Sequence, residues 1–205
     1  MNMPILQTER LLIRPFTFDD LEIYQEINVA NGWTDESMTA EANFQARRDW
    51  LEWSVRNYEQ LAQLHQPPYG DRAVVLKEND RLIGGCGLVP LLMPFGQLPA
   101  FGGQANSLNS TQIGLFWMIG PTYQRQGLAT EAAEAIVRYA FEELRLTRLI
   151  ATTKYTNLAS AGVMRRLGMT VEHNPSADPP WMQVVGILPN SGSQLTAACP
   201  EIDSG

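Results

Sequence analysis

Gln124-Arg125-Gln126-Gly127-Leu128-Ala129-Thr130 joins two segments of different periodicity. Before it, Gln112-Ile113-Gly114-Leu115-Phe116-Trp117-Met118-Ile119 is a near-continuous apolar run that reads as a strand buried on both faces, stopped by Gly120-Pro121. After it, Leu128, Ala132, Ala135, Ile136, Tyr139 and Ala140 recur at helical spacing. A buried strand therefore ends in a tight loop, and a helix opens at Gly127. The first turn of a helix leaves N–H groups unpaired and carries partial positive charge. Gly127 lets a ligand approach the backbone, and Arg125 adds a full charge beside it. Such a junction suits a phosphate or pyrophosphate. It is neither a P-loop, which would need Gly-Lys-Ser or Gly-Lys-Thr, nor a dinucleotide fingerprint, since the loop holds a single glycine. Taken alone, an ordinary strand-to-helix turn with glycine for geometry fits the same residues.

Outward from this junction, residues 149–153 read as a strand, Asn157 opens a short helix that Gly168 closes, and 181–188 read as the last strand. Upstream, 72–77 and 81–89 read as an antiparallel hairpin about Glu78-Asn79-Asp80. Gly84, Gly85 and Gly87 in its second strand imply a bulge or the close approach of another backbone. Cys86 beside them reads as a small buried hydrophobe. The chain begins with a strand over 11–16. Thr17 with Asp20 then caps a helix carrying Leu21, Tyr24 and Ile27 on one face. A second helix from Thr39 aligns Phe44, Leu51, Val55, Tyr58 and Ala62, with Trp50 and Trp53 packing in or over the core. Residues 90–110, rich in Pro, Gly and Asn, read as a long inserted loop, and 189–205 as a loose tail. This order predicts an α/β fold: a mixed central sheet with one parallel crossover and helices on both faces, forming one domain over 1–188.

The 205 residues carry 15 Lys+Arg against 22 Asp+Glu, a net charge of −7, which argues against a nucleic-acid partner. A hydrophobic share of 44% with 18% charged residues supports a real core. The longest apolar-rich run, 82–93, is broken by three glycines and Pro90 and is far short of a membrane span. Two cysteines, Cys86 and Cys199, give no disulfide framework, and with only His65 and His173 beside them no metal site is expected. Both histidines read as surface or loop residues. The expected compartment is the reducing cytoplasm.

The Gln-x-x-Gly-x-Ala form of 124–129 closely resembles the acetyl-CoA pyrophosphate loop of the GNAT acetyltransferase superfamily. Ala129-Thr130-Glu131-Ala132 and Tyr139-Ala140-Phe141-Glu142 are similar to the helix that follows it, and Arg148-Leu149-Ile150-Ala151 to the next strand. Asn157-Leu158-Ala159-Ser160 resembles the family's Asn-x-x-Ser turn, and Val163-Met164-Arg165-Arg166-Leu167-Gly168-Met169 its closing helix. Thr8-Glu9-Arg10-Leu11, with Arg14-Pro15 and Asp20, resembles the start of the branch related to the RimJ/RimL ribosomal-protein N-acetyltransferases; Ile83-Gly84 and Cys86-Gly87-Leu88 fit that branch's third strand. The pieces stand in family order over most of 8–188.

The resemblance implies the GNAT fold, its sheet splayed at a bulge between the fourth and fifth strands expected here, those of Met118 and Thr152. It implies acetyl transfer from acetyl-CoA to a primary amine, on a small molecule or a protein N-terminus, by direct attack on the thioester and without a metal. The cofactor arm would lie beside Met118 and Ile119. The pyrophosphate would sit on the loop Gln124, Arg125, Gln126, Gly127, Leu128, Ala129 and Thr130, accepting from the N–H groups of 126–129. Asn157 would bond the cofactor arm, or act only as a helix cap; Ser160 would lie near the sulfur and protonate the leaving thiolate, or be merely small and polar. Many relatives carry an acid where this chain has Gln112. A water relay or another carboxylate would then take the proton, or the amine would arrive neutral; Asp35 and Glu36 are candidates by family position only and read first as solvated loop acids. The alternative reading is an acyl-CoA-binding GNAT-fold module with little catalysis. Acceptor choice would fall to the first two helices and the 90–110 loop, whose apolar residues also suit packing on a second copy in a homodimer.

Overall fold

The strand that leads to Gly127 lies in the interior of a sheet that has eight strands among the described residues. The computed structural model describes residues 2–105 and 107–192, so most of the expected tail, with Cys199, lies outside the described residues. The strands are β1 (Leu6–Gln7), β2 (Leu11–Arg14), β3 (Gly70–Leu76), β4 (Arg81–Met93), β5 (Ser110–Ile119), β6 (Arg148–Thr153), β7 (Thr170–His173) and β8 (Val184–Pro189), ordered β1-β2-β3-β4-β5-β6-β8-β7. Among the described residues only β5 and β6 are parallel neighbours. Among the described residues the α-helices are α1 (Leu21–Ala30), α2 (Ala40–Gln63), α3 (Leu128–Glu142) and α4 (Leu158–Arg166). No helix among them is long and apolar enough to cross a membrane.

Side-chain alternation along β5 divides the interior. Leu115 and Ile119 join Leu128, Ala132, Ile136 and Met164 in the core under α3 and α4. Met118 turns to the opposite face with Phe16, Tyr24 and Leu51, and Phe116 packs against that cluster from α1 and α2. Gly114 pairs with Ile150 of β6, so Ile150 shares this second face. There it packs with Val185 and Ile187 beneath Met93, Phe95 and Leu98. The 94–109 connection thus covers over β6 and β8 the face that α1 and α2 cover over β2 to β5.

Several expectations change. β4 runs through Pro90 to Met93 instead of ending at 89, so the inserted loop begins at 94. Its pairing with β3 ends at Gly70↔Leu88, so the N–H that Pro90 lacks costs no ladder bond on that side. The loop is not structureless, since Phe95–Gln97 and Pro99–Phe101 form 3₁₀ turns. The edge strands β1 and β7 are too short to show in an apolar pattern, and the latter places His173 at a strand end. Trp181 sits in a 3₁₀ turn before β8 and is 56% exposed. On α2, Trp50 stacks on Tyr24 at 5.1 Å, whereas Trp53 and Phe44 are exposed. Thr17 and Asp20 do form a capping box, and Arg14 holds the same carboxylate through two nitrogens at 2.7 and 2.8 Å.

The strand holding Met118 carries no bulge. β4 and β5 pair without a shift from Gly84↔Ile119 to Met93↔Ser110, while the irregularity falls between β3 and β4 beside Val74. The glycines account for the close pairing, because a Cβ on Gly84 would overlap the Met118 carbonyl oxygen. The splay has another origin. β5 is registered along its whole length by β4, and all of β6 by β8, while the two halves meet only at Gly114↔Ile150. Twist within each half then carries the strand ends apart.

Candidate active site

Beyond Gly114, β5 has no partner on its β6 side among the described residues, so the main chain of 115–119 forms one wall of an open cleft. At the top of that wall the chain turns through Pro121–Tyr123 into the loop. Tyr123 N donates to Gly120 O at 2.8 Å and Gln124 N to Pro121 O at 3.2 Å; the next closed backbone bond is Glu131 N to Gly127 O at 3.0 Å. Between them, the N–H groups of Arg125 through Thr130 find no protein acceptor among the described residues. Arg125 at φ 61° and Gly127 at φ 79° are both left-handed. Alternating left-handed residues gather successive N–H groups into an anion-binding hollow, and here that hollow runs into the positive end of α3. Leu128 anchors the helix start in the core, while Gln124, Arg125, Gln126 and Gly127 stay exposed. The unpaired donors therefore extend one residue further at each end than the 126–129 set.

Gln124 fastens the loop to the cleft wall. Its Nε2 donates to the carbonyl of Ile119 at 2.9 Å and to Asn31 Oδ1 at 3.1 Å. Asn31, at the end of α1, was not expected in the site; it donates in turn to Ile27 O at 2.9 Å. Met118 and Ile119 are buried at the mouth, paired with Gly85 and Gly84.

Across the cleft, β6 leads to Asn157, the N-cap of α4, whose Oδ1 accepts from Ser160 N at 3.1 Å. The capping role of Asn157 is thus present, and its Nδ2 has no protein partner among the described residues. Ser160 is half-buried in the first turn of α4. Arg166 Nε donates to Thr130 Oγ1 at 3.3 Å, tying α4 to the first turn of α3.

On the second face of the sheet, Trp33 packs on Phe116 at 5.7 Å, and Arg47 lies over the rings of Tyr24 and Trp50 at 5.6 and 5.5 Å. Asp71 pairs with Gly87, which pairs with Phe116, so its side chain is in phase with this face. Its Oδ1 is buried without a hydrogen-bond partner among the described residues. Burial pushes the Asp71 carboxyl up to about 7, against the pull of Arg47. Asp35 differs: its carboxylate accepts from Ser37 N and Oγ at 2.9 and 2.6 Å, which hold it below the usual carboxylate range. Glu36 is exposed in the same turn, and Gln112 pairs with Leu91 at the far end of β5. Cys86 is fully buried, and burial pushes its thiol up, away from nucleophilic use. The signal for Asp71 was a carboxylate in phase with buried Ala73 and Val75; Asn31 gave none.

The chain is similar to several other proteins. The family model described as Acetyltransferase (GNAT) domain matches residues 10–170. An uncharacterized N-acetyltransferase of Bacillus subtilis, YnaD, is 31% identical over 171 residues, covering 82% of this chain and 83% of its own. Among solved structures, a putative ribosomal-protein-serine acetyltransferase from Vibrio cholerae superposes with a TM-score of 0.63 at 22% identity, covering 92% of this chain and 99% of that one. RimL, the ribosomal L7/L12 α-N-protein acetyltransferase in complex with coenzyme A, does so at 0.55 and 14%, covering 90% and 96%. Those likenesses carry the fold, while the match over 10–170 carries the kinship: this chain belongs to the GNAT acetyltransferase family.

Proposed function

We propose that this acetyltransferase moves an acetyl group from acetyl-CoA to a primary amine, borne by a small molecule or a protein N-terminus. The observation that carries the donor is the run of unpaired N–H groups from Arg125 to Thr130, opening onto the free edge of β5. That hollow suits a pyrophosphate, and a strand edge suits an amide-bearing arm that pairs with it. The donor supplies an activated thioester carbonyl.

The chain supplies the rest. Gln124 and Asn157 stand on opposite sides of the cleft, so the amine meets the carbonyl already oriented, which is the larger part of the rate. A main-chain N–H on the β5 edge donates to the oxygen that gains charge. As the N–C bond forms and the C–S bond breaks, the nitrogen loses a proton and the sulfur gains one. Ser160 gives its proton to the thiolate and is reprotonated by water. Asp71 receives the amine's proton through water. It stands two strands from Phe116, about 10 Å by the strand spacing, too far for direct transfer. A carboxyl near 7 is half-ionised at neutral pH, the state a base of this kind uses.

The test has two stages. Calorimetry with CoA and acetyl-CoA is expected to show binding and a raised Tm, since a ligand of the folded state stabilises it. Thiol release from acetyl-CoA is then followed with polyamines, amino acids and peptides with free N-termini, with at least one expected to accelerate it. No binding at millimolar CoA would overturn the donor; binding without turnover on any amine would leave a CoA-binding module in place of the enzyme.

A further inference from the structure

The turn between β1 and β2 bonds both the pyrophosphate loop and the first turn of α3, although it lies some 120 residues away in sequence. Arg10 Nη1 donates to the carbonyl of Gln126 at 3.0 Å. Its Nε and Nη2 grip Glu131 Oε2 at 2.7 and 2.6 Å. Glu131 Oε1 accepts from Arg10 N at 2.9 Å and from Thr8 Oγ1 at 2.5 Å. The turn itself is closed by Thr8 N to Leu11 O at 3.0 Å, Leu11 N to Thr8 Oγ1 at 2.9 Å and Lys77 Nζ to Thr8 O at 2.5 Å. Arg10 is therefore held on a rigid support, with Nη1 directed at the loop.

We infer that Arg10 is a positioning residue for donor binding, fixing the Gln126–Gly127 peptide so that the Gly127 N–H faces the pyrophosphate. In a trans peptide the C=O and the following N–H point in opposite directions. Anchoring the Gln126 carbonyl on Arg10 therefore turns the Gly127 N–H away from Arg10 and toward the side left to the ligand. Glycine makes this necessary: lacking a Cβ, Gly127 tolerates either sign of φ, so its sterics alone do not fix the Gln126–Gly127 peptide. A cation on the carbonyl also polarises the peptide and makes its N–H a stronger donor. An ion pair alone does not account for Arg10 Nη1, which bonds the Gln126 carbonyl and not Glu131. The inference rests on the acetyl-CoA reading and adds to it a residue outside the loop motif.

The experiment compares wild type, Arg10→Ala, Arg10→Lys and Glu131→Gln by calorimetry with CoA and dephospho-CoA, and by the amide spectrum of 15N-labelled protein with and without inorganic pyrophosphate. Arg10→Ala is expected to weaken CoA and dephospho-CoA equally, by about tenfold or more, as loss of a well-aimed donor to a charged ligand does. Its Tm should shift little, and the Gly127 amide proton should move even without ligand. Arg10→Lys, which keeps the charge but not the fork, falls between, and Glu131→Gln weakens binding with little added effect in the Arg10→Ala background. A loss confined to CoA would make Arg10 a direct contact of the 3′-phosphate and overturn the positioning role; so would unchanged affinity with an unmoved Gly127 amide. Should Arg10→Ala fail to fold, Arg10→Lys and Glu131→Gln carry the same comparison. If wild type ignores CoA, the donor reading fails separately, while the Gly127 amide still reports on Arg10.

Discussion

Gln124 donates its side-chain amide to the main-chain carbonyl of Ile119 at 2.9 Å, closing the phosphate loop onto the end of the open strand. The same nitrogen reaches Asn31 Oδ1 at 3.1 Å, so the loop, β5 and the end of α1 share one anchor. Gln124→Ala removes neutral hydrogen bonds worth about 1 kcal/mol each. The expected outcome is an acetyl-CoA KM several-fold higher with a small change in Tm. Gln124→Glu sets a carboxylate against the Ile119 carbonyl and near the bound anion, and should raise KM further. A KM unchanged in Gln124→Glu would show that the anchor does not govern donor binding.

Gly127 serves both conformation and space. At φ 79° an L side chain is strained, and a Cβ there would meet Arg10 Nη2 at 3.5 Å. Gly127→Val pays the left-handed penalty of about 1–2 kcal/mol and also fills the ligand's approach. Gly127→Asn separates the effects, because asparagine tolerates the left-handed region. Near-normal Tm with lost CoA binding is expected for Gly127→Asn, and both losses for Gly127→Val. Normal CoA affinity in Gly127→Asn would make the glycine purely conformational.

Asn157 and Ser160 divide in the same way. Asn157→Ala loses the cap bond to Ser160 N, worth about 1 kcal/mol of stability, and is expected to raise the acetyl-CoA KM as well. Ser160→Ala keeps the cap, since only its backbone N–H is used there. Acetyl-CoA affinity should therefore hold while kcat falls, most at high pH, where solvent supplies fewer protons to the departing thiolate. Equal pH–rate profiles for Ser160→Ala and wild type would assign that protonation to water.

The junction around Gly127 was legible because periodicity, glycine and the positive end of a helix all speak locally. Asn157 with Ser160 was legible for the same reason, as was the capping box of Thr17 and Asp20. What escaped depends on distant pairing. Arg10 meets Gln126 only once β2 lies beside α3, and Asn31 meets Gln124 only across the sheet. The splay was expected from a bulge; it follows from β4 and β8 each registering one strand, which no local pattern encodes. Pro90 misled because a proline that ends an interior strand is harmless on an edge.

Asp71 gives the most direct pH test. Burial raises its carboxyl to about 7 in the folded chain, against a value near 3.9 when unfolded. Between those values the folded state holds a proton that the unfolded state has lost. Stability from this group is therefore fully present below pH ~4, declines as pH rises toward ~7, and is level above that. Asp71→Asn removes the charge and hence the decline. Its Tm relative to wild type should rise across that window and plateau above it, so the variant is expected to be at least as stable as wild type at pH 8. Activity should move the other way. If Asp71 receives the amine's proton, kcat/KM for the amine climbs through pH 7 in wild type, and Asp71→Asn loses that limb with acetyl-CoA KM unchanged. Glu in its place should restore part of it. Full turnover by Asp71→Asn at pH 7.5 would remove Asp71 from the chemistry and leave water as the acceptor of the amine's proton, while a flat stability difference across pH 4–8 would show the carboxylate to be ionised throughout.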